Sequence, residues 1–155
     1  MNDDIAFRKA TLKDVKRIAD YNIQMARETE DKTLNRAEVL KGVKAVIDNP
    51  NKGFYLVAEK RDRKIGIIGQ LMITFEWSDW RNKCFWWIQS VYVNKKFRNK
   101  KIFTSLYRAI LRLAESRVDI CGLRLYVEEH NKSAKKVYKT LGMNKTSYEV
   151  YEMLF

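Results

Sequence analysis

The spacing of apolar residues changes once along this chain, and that change limits the folds open to it. Between residues 54 and 93, apolar, β-branched and aromatic residues come in three runs: 54–59, 65–77 and 85–93. Short polar stretches separate them, first Arg61-Asp62-Arg63-Lys64, then Ser78-Asp79 with Arg81-Asn82. Such runs are strands, and turns this short join antiparallel neighbours. After Val93 the spacing becomes helical through Ile102, Leu106, Ile110 and Leu113. Residues 118–127 then form another apolar strand. A helix between two strands is a crossover, which puts a locally parallel pair into the sheet. The expected fold is α+β: a mixed, largely antiparallel twisted sheet flanked by helices.

The rest of the chain extends this order. Residues 5–8 read as a first strand. Thr11 follows as a helix N-cap with Asp14 three residues on, a variant of the capping box, and Val15, Ile18, Ala19 and Met25 continue at helical spacing. A second helix runs from about residue 36 to 47, closed by Asp48-Asn49-Pro50-Asn51. Residues 132–141 form a short helix, with Gly142 as its C-terminal cap and Met143 placed for the apolar contact of a Schellman ending. Residues 148–155 read as a last strand. One proline and six glycines in 155 residues leave no linker, and there is no repeat or low-complexity stretch. The expectation is one domain over residues 1–155.

Charge and cysteine content narrow the function. Thirty-one Lys and Arg against nineteen Asp and Glu give +12, which calls for an anionic partner: nucleic acid, membrane or a phosphorylated small molecule. Cys84, Cys121 and His130 offer no metal-ligand spacing and no disulfide framework, so no metal is expected and a reduced, cytoplasmic setting fits. The two cysteines read as inert strand residues and His130 as structural or exposed. The longest apolar region, residues 65–75, is too short for a spanning helix. The opening Met1-Asn2-Asp3-Asp4 has the wrong charge for a signal peptide. No membrane partner is expected.

The segment Val91-Tyr92-Val93-Asn94-Lys95-Lys96-Phe97-Arg98-Asn99-Lys100-Lys101-Ile102-Phe103 carries a strand end, a basic loop and a helix start. The first N–H groups of a helix lack internal partners and stand at the positive end of its dipole, so they form an anion site. No carboxylate occurs between Asp79 and Glu115, whereas nine Lys and Arg do. A solvated basic face is the plain alternative. Some thirty residues on stands Asn131-Lys132-Ser133-Ala134-Lys135-Lys136-Val137-Tyr138-Lys139-Thr140-Leu141-Gly142-Met143.

Together the two segments resemble the GNAT superfamily of N-acetyltransferases, whose loop reads V-x-x-x-x-R-x-x-G-x-G/A and whose later helix reads N-x-x-A-x-x-x-Y-x-x-x-G-F. Val93 and Arg98 fit the first pattern; Asn131, Ala134, Tyr138 and Gly142 fit the second, with Met143 for the aromatic. The opening Ile5-Ala6-Phe7-Arg8-Lys9-Ala10-Thr11 and the order of elements agree as well. The loop departs from the pattern where Lys101 and Phe103 hold the glycine positions.

The resemblance implies acetyl-coenzyme A (acetyl-CoA) as donor, held in a V-shaped gap where two parallel strands splay apart. It implies that Val91, Tyr92 and Val93 offer main-chain groups to the pantetheine arm. The N–H groups of Arg98, Asn99, Lys100, Lys101, Ile102, Phe103 and Thr104 would hold the pyrophosphate, with Arg98, Lys100 and Lys101 as counter-charge. Asn131 would bond the pantetheine amide region. The activity implied is an acyltransferase reaction on a primary amine of a small molecule or protein, by direct attack on the thioester.

That chemistry needs two proton steps. An amine with pKa ~10 must lose a proton before attack, and the departing thiolate must gain one. Tyr138, a phenol protonated at neutral pH, is the candidate acid, although Ala134, Val137, Tyr138 and Leu141 also form one helical stripe of core type. Glu76 is the candidate base. Asp79 and Glu128 are further carboxylates that could serve, Gln89 and Ser90 could position a water, and a water relay without a dedicated base is an equal alternative. All four tryptophans, Trp77, Trp80, Trp86 and Trp87, fall within eleven residues. They read first as core packing and a subunit interface, and otherwise as a pocket for a cationic acceptor. Two other functions stay open: a basic nucleic-acid-binding module, disfavoured because Phe97, Phe103 and Tyr107 follow core spacing, and a coenzyme-binding relative without turnover. Related enzymes often dimerise, so a homodimer is in view.

Overall fold

A computed structural model describes residues 4–62 and 64–155; the chain opening at residues 1–3 and Arg63 of the expected turn lie outside them. The elements run β1 (Ile5–Lys9), α1 (Val15–Glu30), α2 (Arg36–Asp48), β2 (Phe54–Lys60), β3 (Ile67–Ser78), β4 (Lys83–Val93), α3 (Ile102–Glu115), β5 (Ile120–Leu125) and α4 (Lys132–Thr140). The strands lie in sequence order in one sheet. β1 to β4 are antiparallel neighbours, and the crossover through α3 brings β5 parallel to β4. The sheet is mixed and largely antiparallel, as its periodicity requires.

Alternation along the strands divides the core between the two faces. Tyr55 and Val57 of β2 point to a layer with Ile18, Ala19 and Tyr21 of α1 and Val43 of α2. Leu56 and Ala58 point the other way, toward Ile102, Leu106, Tyr107 and Ile110 of α3. Leu106 and Ile110 are wholly buried, each stabilising the α3 face by about 1.5–3 kcal/mol relative to an exposed position.

The expected cap at Thr11 takes the form of a 3₁₀ turn over Leu12–Asp14, in which the Thr11 N–H donates to Asp14 Oδ2 at 2.7 Å. Arg8 of β1 pairs with the same carboxylate at 2.7 Å and with Glu59 of β2 at 2.8 Å, tying the first helix to the sheet edge. α4 ends on Gly142 at φ +85°, a left-handed conformation in which glycine is unstrained. There the Met143 N–H donates to the Tyr138 carbonyl at 3.0 Å and the Gly142 N–H to Lys139 at 3.1 Å, the paired bonds of a Schellman ending.

Two expectations need correction. β5 begins at Ile120 rather than at residue 118, because Arg117 and Asp119 pair across a turn and leave Val118 exposed. The last strand expected over residues 148–155 does not form: residues 143–155 belong to no helix or strand, and 148–155 are all exposed. A strand needs a neighbour to take its hydrogen bonds, and among the described residues this segment has none.

Candidate active site

The feature that sets the site is a difference in strand length. Pairing of β4 with β5 stops at Ile88 opposite Leu125, yet β4 continues to Val93. Beyond that pair, residues 89–93 have β3 on one side and no strand on the other. The register between β3 and β4 also slips between Gln70 and Met72, leaving Ser90 and Val91 opposite a single residue. Ser90 takes up the bulge at φ +49°. Tyr92, just beyond, is buried and directs its hydroxyl to Gln24 Oε1 at 2.9 Å and Glu28 Oε1 at 3.0 Å on α1.

From Val93 the chain enters a turn whose first residue, Asn94, accepts the Lys96 N–H at 3.1 Å. Asn99 and Lys101 are both left-handed, at φ +61° and +59°, with α3 starting at the next residue, Ile102. Among the described residues no side chain caps the α3 N-terminus, so its leading N–H groups keep their polarity for an anion. The backbone thus adopts the open shape that glycines normally supply in this loop. Lys101 does so at a cost of about 1–2 kcal/mol.

The basic residues divide into two groups. Arg98 turns back on its own loop: Nε donates to the Val93 carbonyl at 2.9 Å, Nη2 pairs with Glu28 Oε2 at 2.7 Å, and the guanidinium lies over the Tyr92 ring. Lys95 joins Glu28 at 3.3 Å. Burial alone would raise the Glu28 carboxyl, but Arg98, Tyr92 and Lys95 together hold it below its ordinary value. Burial and this carboxylate push the Tyr92 phenol up to about 12. Lys96, Lys100 and Lys101 form no ion pair among the described residues. Gln24 and Glu28 were not singled out from the sequence, since neither belongs to a motif.

Tyr138 meets this loop from the other side. Its ring stands edge-to-face on Phe103, in the first turn of α3, with centroids 5.7 Å apart. It is half-buried, its hydroxyl has no hydrogen-bond partner among the described residues, and burial pushes the phenol above its ordinary value. Ala134, Val137 and Leu141 share its inward stripe. Asn131 spends Oδ1 on the α4 N-cap, accepting the Ala134 N–H at 3.0 Å.

The other candidates are engaged elsewhere. Glu76 accepts the Trp87 indole N–H at one oxygen and pairs with Arg124 at the other. Asp79 accepts from the Trp80 N–H, Glu128 from the His130 N–H, and Gln89 donates to Thr74. The tryptophans do not form one cluster. Trp86 is in the core, Trp87 stacks on Tyr126 at 4.3 Å, and Trp77 and Trp80 are exposed. A cavity of about 350 Å³ lies between α1, α2 and the sheet, lined by Met25, Leu34, Val43, Tyr55 and Met72, with Ser90 of the β4 bulge also in its wall.

Comparison with known proteins agrees with this geometry. The acetyltransferase (GNAT) family profile matches residues 18–143, spanning both the loop and α4. A chain described as a possible acetyltransferase from Clostridium difficile 630 is 42% identical, with 97% of each chain covered and a TM-score of 0.90. A predicted acetyltransferase from Clostridium acetobutylicum, solved with acetyl-CoA, is 21% identical over 96% of each chain, with a TM-score of 0.77. Glucosamine-6-phosphate N-acetyltransferase from Arabidopsis thaliana is 17% identical over 97% of this chain and 99% of that one, with a TM-score of 0.72. The sequence matches none of the curated proteins it was compared with. The chain belongs to the GNAT family of acetyltransferases. It is an enzyme of acetyl transfer, with the mixed sheet and parallel β4–β5 pair of that fold.

Proposed function

We propose that this acetyltransferase moves the acetyl group of acetyl-CoA to a primary amine of a small molecule or protein. The observation that carries the reading is the overrun of β4 past β5, leading into an uncapped helix N-terminus. The donor set suits a long amide-bearing arm ending in a diphosphate. Main-chain groups of Val91, Tyr92 and Val93 would receive the arm. The N–H groups from Asn99 to Thr104, with Lys100 and Lys101, would hold the diphosphate, the Arg98 N–H being directed to the Lys95 carbonyl at 3.4 Å. Asn131 would contribute through Nδ2, its oxygen being taken by the cap.

Acetyl-CoA supplies an activated acyl carbon and a thiol leaving group. The chain's own part is binding, alignment and proton transfer. Arg98 acts indirectly, fixing the loop to Glu28 and Val93 rather than reaching outward. Tyr138, a phenol that ordinarily titrates near 10 and is raised further by burial, holds its proton at Oη near neutral pH and can donate it to a departing sulfur. Both carboxylate oxygens of Glu76 are already engaged, by Trp87 and Arg124, so removal of the amine proton through water to solvent is the better reading. The cavity beside Ser90 offers a mainly apolar wall for an acceptor. Phe97 and Phe103 pack against the α3 core and Tyr107 is buried within it, which leaves a nucleic acid few rings to stack on.

Thermal unfolding with acetyl-CoA or an oligonucleotide, followed by thiol release across a panel of amines, tests the reading. Stabilisation by acetyl-CoA with turnover on at least one amine is expected. Stabilisation by the oligonucleotide alone would reverse it, and tight acetyl-CoA binding without turnover on any amine would favour a binding-only relative.

A further inference from the structure

The cavity beside Ser90 has a chemistry of its own. Charged residues make up 32% of the chain, yet among the described residues none lines it. Leu34 and the α2 stripe of Val39, Val43 and Val46 supply one wall, and Met25 of α1 and Met72 of β3 complete the apolar lining. At about 350 Å³ it falls within the usual range of small-molecule sites. Methionine side chains adapt their shape to what they enclose.

Its polar groups, from Asn22, Tyr55 and Ser90, form a single patch. Asn22 Nδ2 donates to the Tyr55 hydroxyl at 3.1 Å. The wholly buried Gln70 braces the patch from behind, its Nε2 donating to Asn22 Oδ1 at 2.8 Å and to the Ser90 carbonyl at 3.4 Å. These groups are dipoles: they can orient an amine at the β4 bulge but cannot neutralise a second charge. A carboxylate, phosphate or further ammonium taken in among the valines and methionines would lose its hydration without compensation.

Gly42, in the middle of α2, also lines the cavity. Glycine destabilises a helix interior relative to alanine, and a Cβ at this position would meet nothing within 4 Å. Packing gives no reason for the missing side chain, whereas room for a ligand does. We propose that the cavity selects acceptors whose primary amine is carried on an uncharged hydrocarbon body, and that Gly42 sets how long a body it admits. This rests on the acetyl-transfer reading and names the substrate class for it.

Two measurements on the intact enzyme test this. The first reads kcat/KM at saturating acetyl-CoA for propylamine through hexylamine, and for aminocaproate and hexamethylenediamine, which add a carboxylate or a second amine to the far end. It should rise about two- to fourfold per methylene, and hexylamine should exceed both doubly functional analogues by about tenfold or more. Gly42→Phe should lower the hexylamine-to-propylamine ratio about tenfold, and Gly42→Glu should turn the preference toward hexamethylenediamine. Gly42 is exposed, so both variants should fold, which thermal unfolding checks. The second measurement needs no turnover: the Met25 and Met72 methyl resonances should shift with hexylamine and stay in place with aminocaproate. Preference for either analogue, or methyl resonances unmoved by every hydrocarbon amine, overturns the proposal even where acetyl transfer is observed. An unchanged ratio in Gly42→Phe overturns the role given to Gly42. Methyl shifts without turnover on any amine uphold the selectivity of the cavity and count against the acetyl-transfer reading instead.

Discussion

Nη2 of Arg98 lies 2.7 Å from Oε2 of Glu28, seventy residues earlier, and this pair anchors the basic loop to α1. Glu28 is the only carboxylate paired with a loop cation among the described residues. Glu28→Gln should raise KM for acetyl-CoA about two- to five-fold, the scale of a partly exposed ion pair, with kcat little changed. Steady-state kinetics with acetyl-CoA varied checks this, and a fall in kcat alone would contradict the anchoring role.

Lys101 sits left-handed where glycine is unstrained. Lys101→Gly should raise the melting temperature by about 1–3 °C, the relief of strain being partly offset by the freedom of glycine when unfolded. Lys101→Val, β-branched at the same φ, should lower it. Calorimetry on the three proteins reads the order, and equal temperatures would show that the loop relaxes around this residue.

The position of Tyr138 against Phe103 separates packing from proton donation. Tyr138→Phe keeps the ring, so stability and acetyl-CoA binding should hold while turnover falls about 10²- to 10⁴-fold. The phenol is raised by burial, so the parent enzyme should lose activity as its proton is lost only above the ordinary value near pH 10. That alkaline limb should be missing from the variant's pH profile.

Glu76 has both oxygens engaged by Trp87 and Arg124. If water carries the amine proton, Glu76→Gln should keep kcat within a factor of about three, since only a surface pair is weakened. A loss of a hundredfold or more would make Glu76 the base.

Asp14 is buried, a position that by itself would raise its carboxyl, but Arg8 and the Thr11 N–H hold it below the ordinary value. A depressed carboxyl contributes stability that is present above its unfolded pKa near 3.9 and lost as pH falls toward the folded value. Asp14→Asn should therefore cost about 1–3 kcal/mol near pH 7, with the difference shrinking below pH 4. Urea unfolding across that range measures it.

Sequence reading worked where local pattern and structure share a cause. α3 was legible because Ile102, Leu106 and Ile110 repeat on the face that packs on the sheet. The α4 ending was legible because Gly142 and Met143 make bonds only a few residues long. The Arg98–Glu28 pair was not, since nothing local marks which of nineteen carboxylates will meet a given cation. The Ser90 bulge depends on a register between β3 and β4 that no single strand displays. Lys101 looked like a departure from a glycine pattern, yet its backbone holds the glycine-like conformation. Residues 148–155 carried a strand pattern, yet among the described residues no strand takes up their main-chain hydrogen bonds.

The point where Ile88 and Leu125 part company has a thermodynamic consequence. Past it, one ribbon of peptide groups gives up the cross-strand bonding that would make the sheet continuous and sturdier. Zipping those residues shut would yield a tougher protein and remove the gap in which the proposed function seats a donor arm. Robustness and occupancy thus compete for the same amides and carbonyls, and the fold resolves the contest at that rung.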